Sequence, residues 1–315
     1  MKGKVKFSAK NVHIRFQFTL ERNVTVITGD SGTGKTKLIN MVRQYAELGR
    51  QSGVSLSCDK ACIVLEGRNW ESILEQTHDS VVFIEESTSF LRTHEFAKAI
   101  QGTDNYYVFV SREPLPQLPY SVDAIHKIVK KGANPKIDKV YKKISTGGVS
   151  GFPYDVIIME DSHSGYEFFC KATEKLPVQC FSADGKSNLL EEMKRHKGQR
   201  LLLIADAAAL GSEIRELEEY RRLSSDKIDF FLPESFEWLI LRSDLFVSNT
   251  RVNEILAEPV DYIESAEFFS WERFFEYLLK EETKDSKDLK YDKKKLAKGY
   301  STEARIKMIL EPAEK

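Results

Sequence analysis

Gly29-Asp30-Ser31-Gly32-Thr33-Gly34-Lys35-Thr36 is an unbroken G-x-x-x-x-G-K-[ST] loop. It follows Val24-Thr25-Val26-Ile27-Thr28, whose β-branched, apolar composition is that of a buried strand. The residues after it put Leu38, Ile39, Val42, Tyr45 and Ala46 on one helical face. Strand, glycine-rich loop and helix in this order make a phosphate-binding turn. The glycines let the backbone wrap close to an anion, the N–H groups and the helix N-terminus point at it, and Lys35 reaches the β and γ phosphates. Thr36 offers its hydroxyl to Mg²⁺. All eight residues are therefore predicted to line a nucleoside triphosphate site.

Upstream of the loop, Val12, Ile14, Phe16 and Phe18 alternate with His13, Arg15 and Gln17, the period-two pattern of a half-buried strand. A turn at Glu21-Arg22-Asn23 separates this strand from the one at 24 to 28. A strand at 4 to 8 completes an antiparallel element ahead of the loop. Downstream, Val81-Val82-Phe83-Ile84 is an apolar strand ending in Glu85-Glu86. A third strand, Tyr106 to Val110, delivers Ser111 and Arg112 to the same carboxyl edge, where open parallel sheets bind ligands. Ser111 is a candidate nucleotide contact. Arg112 reads equally well as a sensor of the γ phosphate or as a solvated residue ahead of Glu113-Pro114-Leu115-Pro116, where prolines make an extended connector.

A length of 315 residues exceeds the ~100 to 200 of one domain and predicts two. Forty-seven basic against 48 acidic side chains give a formal charge of −1, so no global field favours nucleic acid or a membrane. Four scattered cysteines without C-x-x-C spacing fit a reduced cytoplasmic protein better than disulfides or zinc. The N-terminus carries no apolar leader and no run approaches the ~18 apolar residues of a membrane span. The expectation is a soluble, cytoplasmic protein that does not enter a membrane.

Ser145 to Pro153 hold three glycines and a proline after the strand-like Val140 to Ile144, which reads as a linker. Strands and helices then alternate. Strands at 156 to 159, 178 to 181, 201 to 205 and 228 to 232 are separated by helices near 165 to 175 and 187 to 195 and by one more. Alternation of this kind specifies a parallel sheet flanked by helices. The first strand ends in Glu160-Asp161 and the third in Asp206, so carboxylates converge on one edge as a candidate divalent-metal site. Lys186 reads either as a phosphate contact or as part of an Asp-Gly turn before a helix, and the lone His163 as an ordinary loop residue. Trp238, Phe268, Phe269, Trp271, Phe274 and Phe275 suit a core better than a base-stacking platform. Between 280 and 299, lysines mix with acids as on a solvated surface, and Lys293-Lys294-Lys295 is the one stretch basic enough to suggest phosphate contact.

Two resemblances add to this. The loop and its preceding antiparallel element resemble the ABC-type ATPase family, and Val81 to Glu86 resembles its Walker B element with Glu in place of the first Asp. The resemblance implies that Glu85 holds Mg²⁺ through water and that Glu86 polarises the attacking water. Read alone, the two acids also suit a strand running into a helix N-terminus. The chain has no LSGGQ-like signature between Thr36 and Val81, and no N-K-x-D motif for guanine.

Glu160 with Tyr166-Glu167-Phe168-Phe169, and Asp206-Ala207-Ala208-Ala209-Leu210-Gly211, resemble the TOPRIM fold of topoisomerases, primases and overcoming-lysogenization-defect (OLD) nucleases. In that family a strand-terminal Glu and a later Asp-x-Asp gather Mg²⁺ for phosphodiester chemistry. Glu160 matches the first acid and Asp206 opens the second motif, but Ala208 stands at its second acid and Asp161 where glycine is common.

Together the resemblances imply an α/β chain like OLD-type nucleases and phage-defence ATPase/TOPRIM systems. They imply a P-loop ATPase domain at 1–146, a TOPRIM-like parallel α/β domain at 153–260 and a helical, charged C-terminal extension at 261–315. The implied activity is ATP-regulated, metal-dependent processing of nucleic acid. Its implied catalytic residues are Glu86, Glu160 and Asp206, its metal ligands Thr36, Glu85, Glu160, Asp161 and Asp206, and its cofactors ATP and Mg²⁺. A homo-oligomer or a partner protein is also implied. Ala208 keeps open a nucleotide-switched binding protein with a degenerate second domain, and the loop alone does not exclude a small-molecule kinase, although no arginine-rich lid is evident.

Overall fold

The computed structural model describes residues 2 to 129, 134 to 141 and 153 to 311. The chain is mixed α/β with parallel sheets and, among the described residues, ten α-helices. It divides into two compact units, Met1–Lys142 with Glu258–Ser270, and Lys143–Ala257 with Trp271–Lys315.

The first unit begins with β1 (Val5–Lys10) and β2 (Arg15–Leu20), paired antiparallel. There follow β3 (Val24–Thr28), α1 (Lys35–Leu48), β4 (Ser55–Cys58), β5 (Ala61–Val64), α2 (Trp70–Glu75), β6 (Ser80–Glu85), α3 (His94–Ala99), β7 (Tyr106–Val110), β8 (Ile125–Val129) and β9 (Lys136–Lys139). Six strands form one sheet in the order β5-β6-β7-β3-β8-β9, parallel except for the β8–β9 pair. All five residues of β7 are buried, as a central parallel strand covered on both faces requires. One face packs against α1 and a small β2-β1-β4 sheet through Phe7, Phe18, Leu38, Val42 and Phe83, with Phe7 4.9 Å from Phe18 and 5.1 Å from Phe83 between ring centres. A second aromatic cluster joins Trp70, Phe90, Phe96 and Phe109.

Three expectations change in detail. Val12 is 89% exposed, because the Asn11 side chain accepts from the N–H groups of His13 and Ile14 and turns the chain before β2 begins. On α1, Met41 is buried and Ala46 exposed, so the inward face is Leu38, Ile39, Met41 and Val42. Of the strand-like 140 to 144 and the linker 145 to 153, residues 142 to 152 lie outside the described residues; Val140 is at a bend after β9.

The second unit runs β10 (Val156–Met159), α4 (Ser164–Ala172), β11 (Gln179–Ser182), α5 (Leu189–Arg195), β12 (Leu201–Ile204), α6 (Ile214–Leu223), β13 (Ile228–Phe231), α7 (Phe236–Arg242) and α8 (Thr250–Ala257). After the excursion through 258–270 come α9 (Trp271–Thr283) and α10 (Glu303–Leu310). Its sheet is wholly parallel in the order β11-β10-β12-β13. The alternation read from sequence is thus present element for element. Phe168 and Phe169 of α4 are buried beside Phe231 and Phe236. Ser235 caps α7, its hydroxyl accepting from Trp238 N–H at 3.1 Å.

Candidate functional sites at two sheet edges

In the first unit, Ser111 N–H donates to Ile27 O and Glu86 N–H to Val110 O, which lines up the carboxyl ends of β3, β7 and β6. The glycine-rich loop leaves the end of β3 and enters α1, whose N-cap is Gly34 and whose first N–H groups have no side-chain cap. Gly34 has φ +111°, and a Cβ there would meet the Phe16 ring at 3.2 Å, so backbone conformation and packing both demand glycine. Lys35 Nζ folds back onto the carbonyls of Gly29 and Asp30, and burial lowers its pKa from the ordinary lysine value. Thr33 Oγ1 donates to Asp30 O at 2.9 Å.

Across the loop, Thr36 Oγ1 donates to Glu85 Oε1 at 3.3 Å. A hydroxyl and a carboxylate oxygen therefore meet beside the loop, the hard-oxygen donor set that suits Mg²⁺. Glu86 is gripped by Arg112: backbone N–H to Oε2 at 2.7 Å and Nε to Oε1 at 2.8 Å, with Nη2 2.7 Å from Oε1. Burial opposes the charge of Glu86, but these bonds outweigh it and hold its pKa below the ordinary carboxylate range. The structure thus answers the open reading of Arg112 with a specific partner. Lys127 on β8, which the sequence pattern does not single out, lies 3.2 Å from Asp30 Oδ2 and adds another cation beside the loop. Ser111 is buried, with its hydroxyl bonded to Glu113 O at 2.8 Å, so it sits beside this group while its side chain serves the turn.

In the second unit, Glu160 follows β10 and Asp206 follows β12, adjacent strands in register. Asp206 N–H donates to Glu160 Oε2 at 3.1 Å, and Asp206 Oδ1 accepts from Phe236 N–H at the start of α7, also at 3.1 Å. Burial, with Glu272 and Asp161 adding to it, pushes Glu160 up to about 7 against the pull of Asp206 N–H and Lys186. Burial raises Asp206 well above its ordinary value, with Glu272, Glu237 and Glu160 adding to the effect, and burial also raises Asp161. Ala208 is buried with its N–H on Glu234 O at 3.1 Å, so a small side chain closes the place where the resemblance calls for an acid. Lys186 reaches Ala209 O at 2.9 Å and Ser212 Oγ and Glu213 Oε2 at 3.2 Å, a clasp between two loops at this edge.

Glu237, Tyr291 and Glu272, which the sequence pattern does not single out, complete the centre together with Lys293, read from sequence only as part of a basic run. Glu237 of α7 is 2% exposed, and its Oε1 accepts from Tyr291 OH at 2.6 Å. Lys293 Nζ donates to Glu272 Oε1 at 2.6 Å and lies 3.5 Å from Glu276 Oε2. Burial opposes its charge, yet Glu272 and Glu237 raise its pKa above the ordinary lysine value. Lys293 is thus half-buried and committed to ion pairs with Glu272 and Glu276, whereas Lys294 and Lys295 are exposed. The one signal for Glu237 in the sequence is a carboxylate inside the apolar run Phe236 to Leu241, and for Lys293 it is the basic run Lys293 to Lys295, which does not point to this centre; for Glu272 and Tyr291 there is none.

Among the described residues, no three His, Cys, Asp or Glu side chains converge to hold a metal ion. Glu160, Asp161 and Asp206 as arranged thus do not form a metal-ready set. No protein-family model matches the chain, and no curated protein matches it.

Proposed function

We propose that this chain binds and hydrolyses ATP in its first unit, and that its second unit is a TOPRIM-like domain acting on nucleic acid under control of the nucleotide state. The observation that carries the reading is the gathering of Lys35, Thr36, Glu85 and Glu86 at one sheet edge around an uncapped helix start. The loop N–H groups and Lys35 hold the β and γ phosphates. Thr36 and Glu85 would hold Mg²⁺, which would neutralise phosphate charge when bound. Glu86 accepts a hydrogen bond from the attacking water once Arg112 turns from its carboxylate toward the γ phosphate, so the pair joins hydrolysis to phosphate arrival.

In the second unit, Glu160 and Asp206 are the groups through which a phosphodiester would be engaged, by their match to the TOPRIM acids. A second reading, a nucleotide-switched protein whose second unit recognises nucleic acid or a partner without cutting it, is favoured by Ala208. The experiment measures ATP turnover together with cleavage of plasmid DNA, linear DNA and structured RNA in Mg²⁺ or Mn²⁺. ATP hydrolysis lost in Glu86→Gln and cleavage lost in Glu160→Gln and Asp206→Asn support the first reading. ATP hydrolysis with no cleavage under any metal leaves the second, and no ATP binding at all rejects both.

A further inference from the structure

The acidic centre of the second unit has a cation built into it. Lys293 lies on the stretch between α9 and α10, and that stretch is fastened at several points. Its own carbonyl accepts from Ser164 N–H at 3.0 Å, Tyr291 N–H donates to Thr283 Oγ1 at 3.0 Å, and Leu296 N–H donates to Glu167 Oε2 at 2.8 Å. Tyr291 OH lies between Ser164 Oγ, 2.9 Å away, and Glu237 Oε1, 2.6 Å away. The ammonium is thus delivered to Glu272 and Glu276, and its charge also acts on Asp161 and Glu237.

An independent observation marks the centre as a place for positive charge. Glu237 Oε2 is sealed from solvent and has no hydrogen-bond partner, although its sister oxygen is bonded. A buried carboxylate oxygen left this way is costly unless a cation stands near it or the carboxyl keeps its proton. Lys293 meets that need electrostatically, with three donors and a compact charge suited to several carboxylates at once. The replacement of an expected acid by Ala208 works in the same direction, since it removes a donor that a divalent ion would use.

We propose that the Lys293 ammonium is the resident cation of this centre, held there by its own chain segment in place of a divalent metal, so that metal binds only as Lys293 leaves. The proposal rests on reading Glu160 and Asp206 as the TOPRIM-like acids. It does not depend on catalysis, because like charges exclude one another from one carboxylate cage whatever the centre goes on to do.

The test is a Mn²⁺ titration of the full chain without nucleotide, followed by the electron paramagnetic resonance signal of free Mn²⁺. Wild type and Lys293→Arg, which both keep the charge, are expected to bind weakly. Lys293→Met is expected to bind at least about tenfold more tightly, and adding Glu160→Gln to it should remove that gain, which places the ion at this centre. Should Lys293→Met fail to fold by circular dichroism, Lys293→Gln takes its place. Equal affinity in wild type and the charge-free variant overturns the proposal, as does a gain that survives Glu160→Gln. In wild type, acetylation of Lys293 read by mass spectrometry should be slow and should speed up severalfold once the titration reports bound Mn²⁺. Labelling unchanged by bound metal also overturns it. ATP turnover and nucleic-acid cleavage are separate readouts, so failure here and failure of the functional reading are told apart.

Discussion

The carboxyl edges of the two parallel sheets solve opposite electrostatic problems. At the first, Lys35, Arg112 and Lys127 stand against Asp30, Glu85 and Glu86, and the ion pairs are largely solvent-exposed. Side-chain charge is balanced there, so on the proposed reading it is the glycine-rich loop and the start of α1 that would favour an anion. At the second, Glu160, Asp161, Asp206, Glu237 and Glu272 crowd together, burial raises the pKa of four of them, and Lys293 is the cation drawn in among them. On the proposed readings, the same topological position is suited to opposite charges according to whether backbone dipoles or buried carboxylates dominate it.

Four substitutions break or sharpen this contrast. The largest effect is expected for Lys35→Ala, which removes a charged donor from two phosphates and should weaken ATP by about a hundredfold or more in calorimetry; unchanged affinity would end the reading of the first edge. Next is Arg112→Ala. Glu86 then loses the partner that holds its pKa down, so the acid limb of the kcat profile should move to higher pH, and turnover should fall roughly tenfold. An acid limb that stays put would show that Glu86 is not the titrating base.

Glu160 tests the second edge through stability. Its pKa in the folded chain, about 7, lies above its ordinary 4.5, so between these values the folded state holds more protons than the unfolded one. Stability should therefore fall as pH rises from about 5 to 8, by roughly 2 kcal/mol from this group. Glu160→Gln should flatten that slope in urea melts at several pH values and be the more stable form at pH 8. A wild-type profile already flat across this window would mean that the centre is not short of positive charge. The smallest effect is expected at Asp155, whose carboxylate is held down to about 2 by Arg200 but is solvent-exposed. Asp155→Asn should leave the melting temperature at pH 7 unchanged within error, since exposed pairs contribute little.

What the sequence made legible follows from how local each feature is. The glycine-rich loop is a single run of eight residues, and its strand and helix flank it directly, so the first edge could be read with no knowledge of tertiary packing. Strands β10 to β13 could be read because each is a short apolar run bounded by turns. Glu160 and Asp206 were found for the same reason, as polar residues closing apolar strands. Glu237 and Glu272 were not, and Lys293 was seen only as part of a basic run, because each reaches the centre from a later helix or loop, and what places them is the packing of α7 and α9 and the stretch after α9. Ser111 shows a limit of such reading: its strand end was identified from sequence, but not the local turn that its hydroxyl closes on Glu113 O two residues on.

Residues 258–270 belong with the first unit, where Val260 O accepts from Gly3 N–H and Phe269 O from the buried Asn23 side chain. The order of synthesis is therefore not the order of completion. A ribosome that has emitted the first 142 residues has made an unfinished unit, which must wait while β10 to β13 and α4 to α8 emerge. At ordinary translation rates that wait is on the order of ten seconds. The second unit's sheet is whole before the first unit has its last segment, so during synthesis it is the first unit whose fold stays open longer.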